Sequence, residues 1–200
     1  MTMIASFLLG LAGELIVDAD DLRAVDVLAG AMAGGGETGM RAALDLAKLI
    51  GQAADPATAL AALDRSLAAG DFAGDAPIVV ASIVIACFAT VRADYPARQD
   101  ATSARSALSA RADLAYGTLG AVGAEVLDWT VQLVGDTVLS LSALAATRAP
   151  VVRVETGISL PSTLIAWDLY ADANRAGEIV KRNRIATPLV MPSAFEALGS

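Results

Sequence analysis

The chain has 200 residues, a formal net charge of -8, no histidine, and 56 % hydrophobic but only 4 % aromatic residues. An acidic chain has no net attraction for phosphate backbones, and the lack of histidine removes the commonest general base and the commonest metal ligand together. A single cysteine, Cys87, excludes an internal disulfide and any cysteine cluster.

The length suits one or two domains with a real core. Charged residues, at 18 %, fall below the usual quarter of a soluble domain. So apolar a chain implies a surface partly covered by partners, which points to an obligate assembly.

Residues 3–28 read as helix with a break near 18–21, where Asp20 or Asp21 can cap a second helix. Gly34, Gly35 and Gly36 form a flexible break. Met40, Ala43, Leu44, Ala47 and Ile50 recur at threes and fours, which predicts a helix over 38–52. Asp55-Pro56 is an acidic cap followed by proline at the first helical position. That helix runs to about Ala69, where Gly70, Asp71, Gly74 and Pro77 break the pattern.

The run from Ala76 to Val91 carries no charge. It is too short for a membrane-spanning helix, and its Val and Ile content suits a strand while its length suits a helix. Helix over 77–94 is the reading adopted, with Cys87 as an inert core thiol. Residues 4–17 are also apolar, but no basic residue precedes them and Glu14 interrupts them, so they make a poor signal peptide. A long helical tract then covers 98–144, with Leu108, Ala112, Ala115, Leu119 and Val122 along one side. Gly117, Gly120 and Gly123 fall three apart on it, as a close-packing face or a weak point; packing is preferred. Trp129 reads as helix packing.

The character changes near Pro150. Residues 151–156 alternate and are β-branched, which predicts a short strand ended by Gly157. Residues 160–172 form an amphipathic helix with Pro161 in its first turn and Leu164, Ile165 and Leu169 facing inward. A second helix covers 174–182, ended by Asn183, which tolerates left-handed geometry. Pro188 to Met191 is a second strand, with Phe195 and Leu198 as the last apolar contacts. The fold class is thus mainly α: an Ala-rich helical region over 1–148, with a sub-break near 70–77, followed by a small α+β (βααβ) module over 149–200.

That order resembles a LysM module. Gly157, Leu164-Ile165-Ala166, Tyr170, Ile179, Asn183-Arg184-Ile185 and Pro188 match its glycine turn, its first helix, the asparagine that ends its second helix, and its proline-containing return strand. The resemblance implies that Leu164, Ile165 and Ile179 fill a core, that Asn183 stops the second helix, and that Ile185 plugs beneath it. The usual Pro-Gly before the last strand is Pro192-Ser193 here. The string LPSTLIAWDLYADANRAGEIVKRNRIATP (160–188) is further similar to the C-terminal end of Mu-like phage DNA-circularisation proteins, and residues 92–105 resemble that family's helical middle. Pro161, Leu169-Tyr170, Asp172-Ala173, Arg175-Ala176, Glu178, Arg182-Asn183, Ile185 and Pro188 carry the match. The family's Gly after Tyr is Ala171 here, and its His before Pro is Thr187.

The resemblance implies a structural component of a contractile tail baseplate or hub. It would dock on tube, hub or wedge subunits, form a homo-oligomer within the particle, and reside in the virion after assembly in the bacterial cytoplasm. Asp168, Asp172, Arg175, Glu178 and Arg182 read either as a docking surface or as a solvated face with ordinary pairs such as Glu178 with Arg182. Trp167 and Tyr170, three apart, are interface or core anchors, or a stacking platform for a saccharide. No catalytic residue, metal ligand or cofactor site is expected: Asp20 and Asp21 point apart on a helix, and Gly34–Gly36 lacks the phosphate-loop ending. The protein reads as no enzyme, with no nucleic acid or membrane partner. Two alternatives stand beside this reading. One is a DNA-circularisation factor using Lys181, Arg182 and Arg184; the other is a peptidoglycan-binding accessory using Trp167.

Overall fold

The computed structural model describes residues 2–70, 72 and 74–199; Asp71, read above as part of a break, lies outside them. In chain order these form α1 (Thr2–Leu15), α2 (Ala19–Ala33), α3 (Gly36–Ala53), α4 (Pro56–Ala69), α5 (Ala76–Arg92), α6 (Arg98–Val122), α7 (Ala124–Thr147), β1 (Val151–Glu155), α8 (Ser162–Tyr170), a 3-10 turn (Ala173–Arg175), α9 (Ala176–Arg182) and β2 (Ala194–Leu198). The chain is mainly helical, with a small two-stranded antiparallel sheet at its C-terminal end. It divides into two compact units, Met1–Asp94 with Ser103–Ala143, and Tyr95–Thr102 with Leu144–Ser200. The second therefore takes in 95–102 and 144–148, which the sequence reading gave to the helical region.

Aspartates start three helices. Asp18, Asp55 and Asp75 occupy the N-caps of α2, α4 and α5, and each carboxylate accepts from first-turn N–H groups. The cap of α2 is Asp18, ahead of the predicted Asp20 or Asp21. Those two lie in the first turn instead, where negative charge complements the helix dipole. At Asp55 the N–H of Thr58, then its hydroxyl, hold the carboxyl below its ordinary range.

In the first unit α5 is the centre. It is a helix, not a strand, and it is buried from Ile78 through Thr90 with few interruptions, as a helix apolar on all sides must be. α3 packs against it at Gly51. A Cβ there would come 2.8 Å from Phe88 Cβ and 2.9 Å from the Ile85 carbonyl oxygen, so the two backbones nearly touch. Arg92, in the last turn of α5, donates to the carbonyls of Gly51 and Ala54 at 3.0 and 2.9 Å. A cation thereby satisfies acceptors that the end of α3 leaves open. Cys87 is buried in α5, and burial pushes its thiol up, away from the thiolate form that a nucleophile needs.

The tract over 98–144 is not one helix. α6 and α7 meet at Gly123 and run antiparallel, with Arg105 Nη1 donating to Ser142 Oγ at 3.2 Å. Leu108, Ala112, Ala115 and Leu119 are buried as predicted, whereas Val122 is exposed. The glycines are not a packing face: Gly117 looks into open space, and a Cβ on Gly120 would meet only Leu127, at 3.7 Å. Among the described residues, α7 alone is long and apolar enough to cross a bilayer. Its buried Thr130, Val134, Thr137 and Leu141 recur at threes and fours, the stripe of a helix packed on protein along one side.

These contacts separate two glycines of similar helical setting. Gly51→Ala should lower the unfolding free energy by about 1–3 kcal/mol through overpacking. Gly117→Ala should raise it by up to about 1 kcal/mol. Denaturant melts followed by circular dichroism distinguish the two signs.

Candidate functional site

The second unit holds most of the residues singled out from the sequence. β1 and β2 pair antiparallel, from Val151 opposite Leu198 to Glu155 opposite Ala194. Ile165 and Ala166 of α8, Ala176 and Ile179 of α9, and Met191, Phe195 and Ala197 form the core, with Ile185 and Leu169 packed against it.

Several expectations need correction here. The return strand is 194–198, not 188–191. Pro188 and Pro192 have no N–H to give a ladder, and Val190 N–H turns back to Thr187 O at 3.3 Å. That segment is a loop anchored by the fully buried Met191, and Pro188 is exposed while its carbonyl accepts from Ser162 N–H at 2.8 Å. Leu164 is not core: it is 45 % exposed, because the 3.6 period of α8 gives the inward positions to Ile165 and Ala166. α8 is also shorter than predicted, with Pro161 at its N-cap and Ala171 left-handed at its C-cap, φ 54°. Asn183 does end α9 but is not left-handed; the positive φ of 53° belongs to Arg184.

Asn183 acts through its side chain instead. Its Nδ2 donates to the carbonyls of Ile179 and Glu196, and its Oδ1 accepts from Glu196 N–H, each at 2.8 Å. One amide thus joins the end of α9 to the middle of β2.

The predicted charged surface turns inward on its own unit. Arg175 lies 3.7 Å over the Tyr170 ring, a cation–π contact, and donates through Nε and Nη2 to Glu178 Oε2 at 3.1 and 2.9 Å. The Tyr170 hydroxyl accepts from Leu198 N–H at 2.9 Å, and burial pushes its ionisation up. Glu178 therefore pairs with Arg175, not with Arg182. Arg182 reaches Asp100 at 3.1 Å with its side chain only 12 % exposed, which removes it from the basic clump and leaves Lys181 and Arg184 exposed. Asp172 caps the 3-10 turn by accepting from Asn174 N–H, and Asp168 is exposed.

Trp167 is the predicted anchor that remains outside, 59 % exposed and one turn beyond Leu164 on α8. Sequence reading missed further exposed apolar residues of this unit. Ser162 N–H to Pro188 O, Met191 N–H to Leu160 O at 3.1 Å and Ser159 Oγ to Met191 O at 2.5 Å bring the 156–161 and 184–193 loops together. Ile158, Leu189 and Val190 project from these loops at 64, 72 and 63 % exposure. Their signal was partly available: Ile158 follows Gly157 outside any helical or strand period, and Leu189 and Val190, read above as strand, stand between two prolines. Exposed apolar groups gathered this way mark an interaction surface. In the first unit a separate groove is lined by Met40, Leu44, Pro77, Val80, Val126 and Trp129. Trp129, read as helix packing, is 43 % exposed there.

No protein-family model matches this sequence, and no curated protein matches it either. Among the described residues no group of three or more acidic or cysteine side chains is placed to hold a metal ion.

The left-handed Ala171 gives this unit a direct test. An L-residue there costs roughly 1–2 kcal/mol of backbone energy that glycine avoids, offset in part by glycine's larger unfolded-state entropy. Ala171→Gly should raise the melting midpoint of the second unit by an amount equivalent to roughly 0.5–1 kcal/mol. Differential scanning calorimetry reads that shift.

Proposed function

We propose that this chain is a structural, non-catalytic component of a contractile, phage-type tail baseplate or hub, and that its second unit is a LysM-like docking module. The observation that carries the docking role is that Ile158, Leu164, Trp167, Leu189 and Val190 are left exposed while Arg175, Glu178 and Arg182 are engaged within the unit. Interface anchors of this kind are large, rigid and apolar, and tryptophan dominates them. The LysM-like reading is supported by the β1-α8-α9-β2 order, by the antiparallel pairing of the two strands, and by Asn183 at the end of α9. The tail assignment draws on the sequence pattern over 160–188. The net charge of -8 and the engagement of Arg182 with Asp100 weigh against a role in holding linear DNA.

Quantitative mass spectrometry of purified tail particles tests this. The chain should be present at a fixed copy number, a small multiple of three. Trp167→Ala should change the unfolding free energy by no more than about 0.5 kcal/mol yet deplete the chain from particles. A chain found only in lysate, never in particles, overturns the assignment.

A further inference from the structure

A two-stranded sheet has two edges, and here they are treated differently. Gly199 N–H bonds Pro150 O at 2.7 Å and Thr156 N–H bonds Ser193 O at 2.8 Å, so within β1 the main-chain groups of Val152 and Val154 face β2 and those of the alternate residues face outward. On the outer edge of β2, Asn183 takes both main-chain groups of Glu196 and Tyr170 takes Leu198 N–H. On the outer edge of β1, the Gln99 side chain accepts from Val151 N–H at 2.8 Å and donates to Val151 O at 3.2 Å. Arg153 and Glu155 remain, two outward positions in succession, compared with Ala194 at the start of β2. The outward main-chain groups of Arg153 and Glu155 bond nothing among the described residues; their side chains, 73 and 70 % exposed, pair only with each other along the strand, at 3.3 Å.

We propose that this short open edge pairs antiparallel with the same edge of a second copy of the chain. Placing Val154 opposite its own symmetry mate sets Arg153 opposite Glu155 of the second copy, and Glu155 opposite its Arg153. Both residues turn their main-chain groups outward, so these become the hydrogen-bonded pairs of the new ladder. The interface is self-complementary, as two-fold symmetry requires, and opposite charges meet across strands. The neighbouring registers do not share this. Sliding one way sets Arg153 against Arg153 and requires Val151, which Gln99 already occupies. Sliding the other way sets Glu155 against Glu155. The charges and the Gln99 cap therefore select one register and one occupant, and the inference does not depend on the tail assignment.

Sedimentation of the full-length chain from micromolar to millimolar concentration should show a reversible dimer. Arg153→Glu puts like charges in both cross-strand pairs between copies, as well as against Glu196 in its own sheet. It should weaken dimerisation roughly tenfold while circular dichroism shows the fold retained; Arg153→Glu with Glu155→Arg should restore it. Arg153→Pro removes an outward N–H and none of the β1–β2 ladder, a position where edge strands accept proline. It should abolish the dimer while circular dichroism stays native-like. A chain that is monomeric throughout overturns the proposal. So does a dimer indifferent to Arg153→Glu, or a charge swap that fails to restore one lost in the single variant.

Discussion

The Asn183 amide carries the constraint on which the second unit depends. A sheet of two strands buries one face at most, leaves both edges open, and is marginal without further support. Its strands here are far apart in sequence, so pairing them costs loop-closure entropy before any ladder bond forms. Asn183 offsets this by satisfying, with one side chain, a carbonyl at the end of α9 and both outward groups of Glu196. Tyr170 repeats the device at Leu198 and Gln99 repeats it at Val151. The strands are thus positioned by helical side chains as much as by each other.

That arrangement sets what the surface can be. Tyr170 must reach the edge of β2 to meet Leu198, which brings Arg175 over its ring and Glu178 against Arg175. Arg182, one turn beyond Glu178, is drawn to Asp100 and holds the 95–102 segment in the unit. Glu178 and Arg182 of α9 are engaged in internal order, and the loops joining strands to helices carry apolar groups outward. A chain with 18 % charged residues has few others with which to cover them.

The sequence announced the elements more clearly than their contacts. Aspartate and proline at helix starts, and periodic small apolar residues, made the helices from α2 to α5 legible to within a few residues, because these signals are local. The turn at Gly123 was hidden, since α6 and α7 have like composition and a lone glycine inside a helical pattern is tolerated. The return strand was misplaced because apolar Leu189 and Val190 sit between two prolines, and only the long-range bonds of 160–162 to 188–191 show that segment to be a loop. For the same reason the inward roles of Tyr170, Arg175 and Arg182 were not legible: each partner is set by the tertiary fold or by side-chain direction. Leu164 shows the limit of periodicity in a helix as short as α8, where a shift of one residue exchanges the inner and outer faces.

The tryptophans bring both units into one argument. Small side chains fill the first unit's core; at Gly51 even a methyl group does not fit between α3 and α5. Few bulky rings fit such an interior: Phe7 is buried there with Phe72 edge-on to it, and aromatics are 4 % of the chain. Tryptophan is nonetheless highly buried on average, because its large apolar surface is costly to leave in water. Here Trp129 borders an apolar groove of the first unit and Trp167 lies on α8 of the second, and both are exposed. Neither position is demanded by packing within its own unit. The rings are instead open to a neighbouring surface, and that exposure is the physical ground on which the proposed docking role rests.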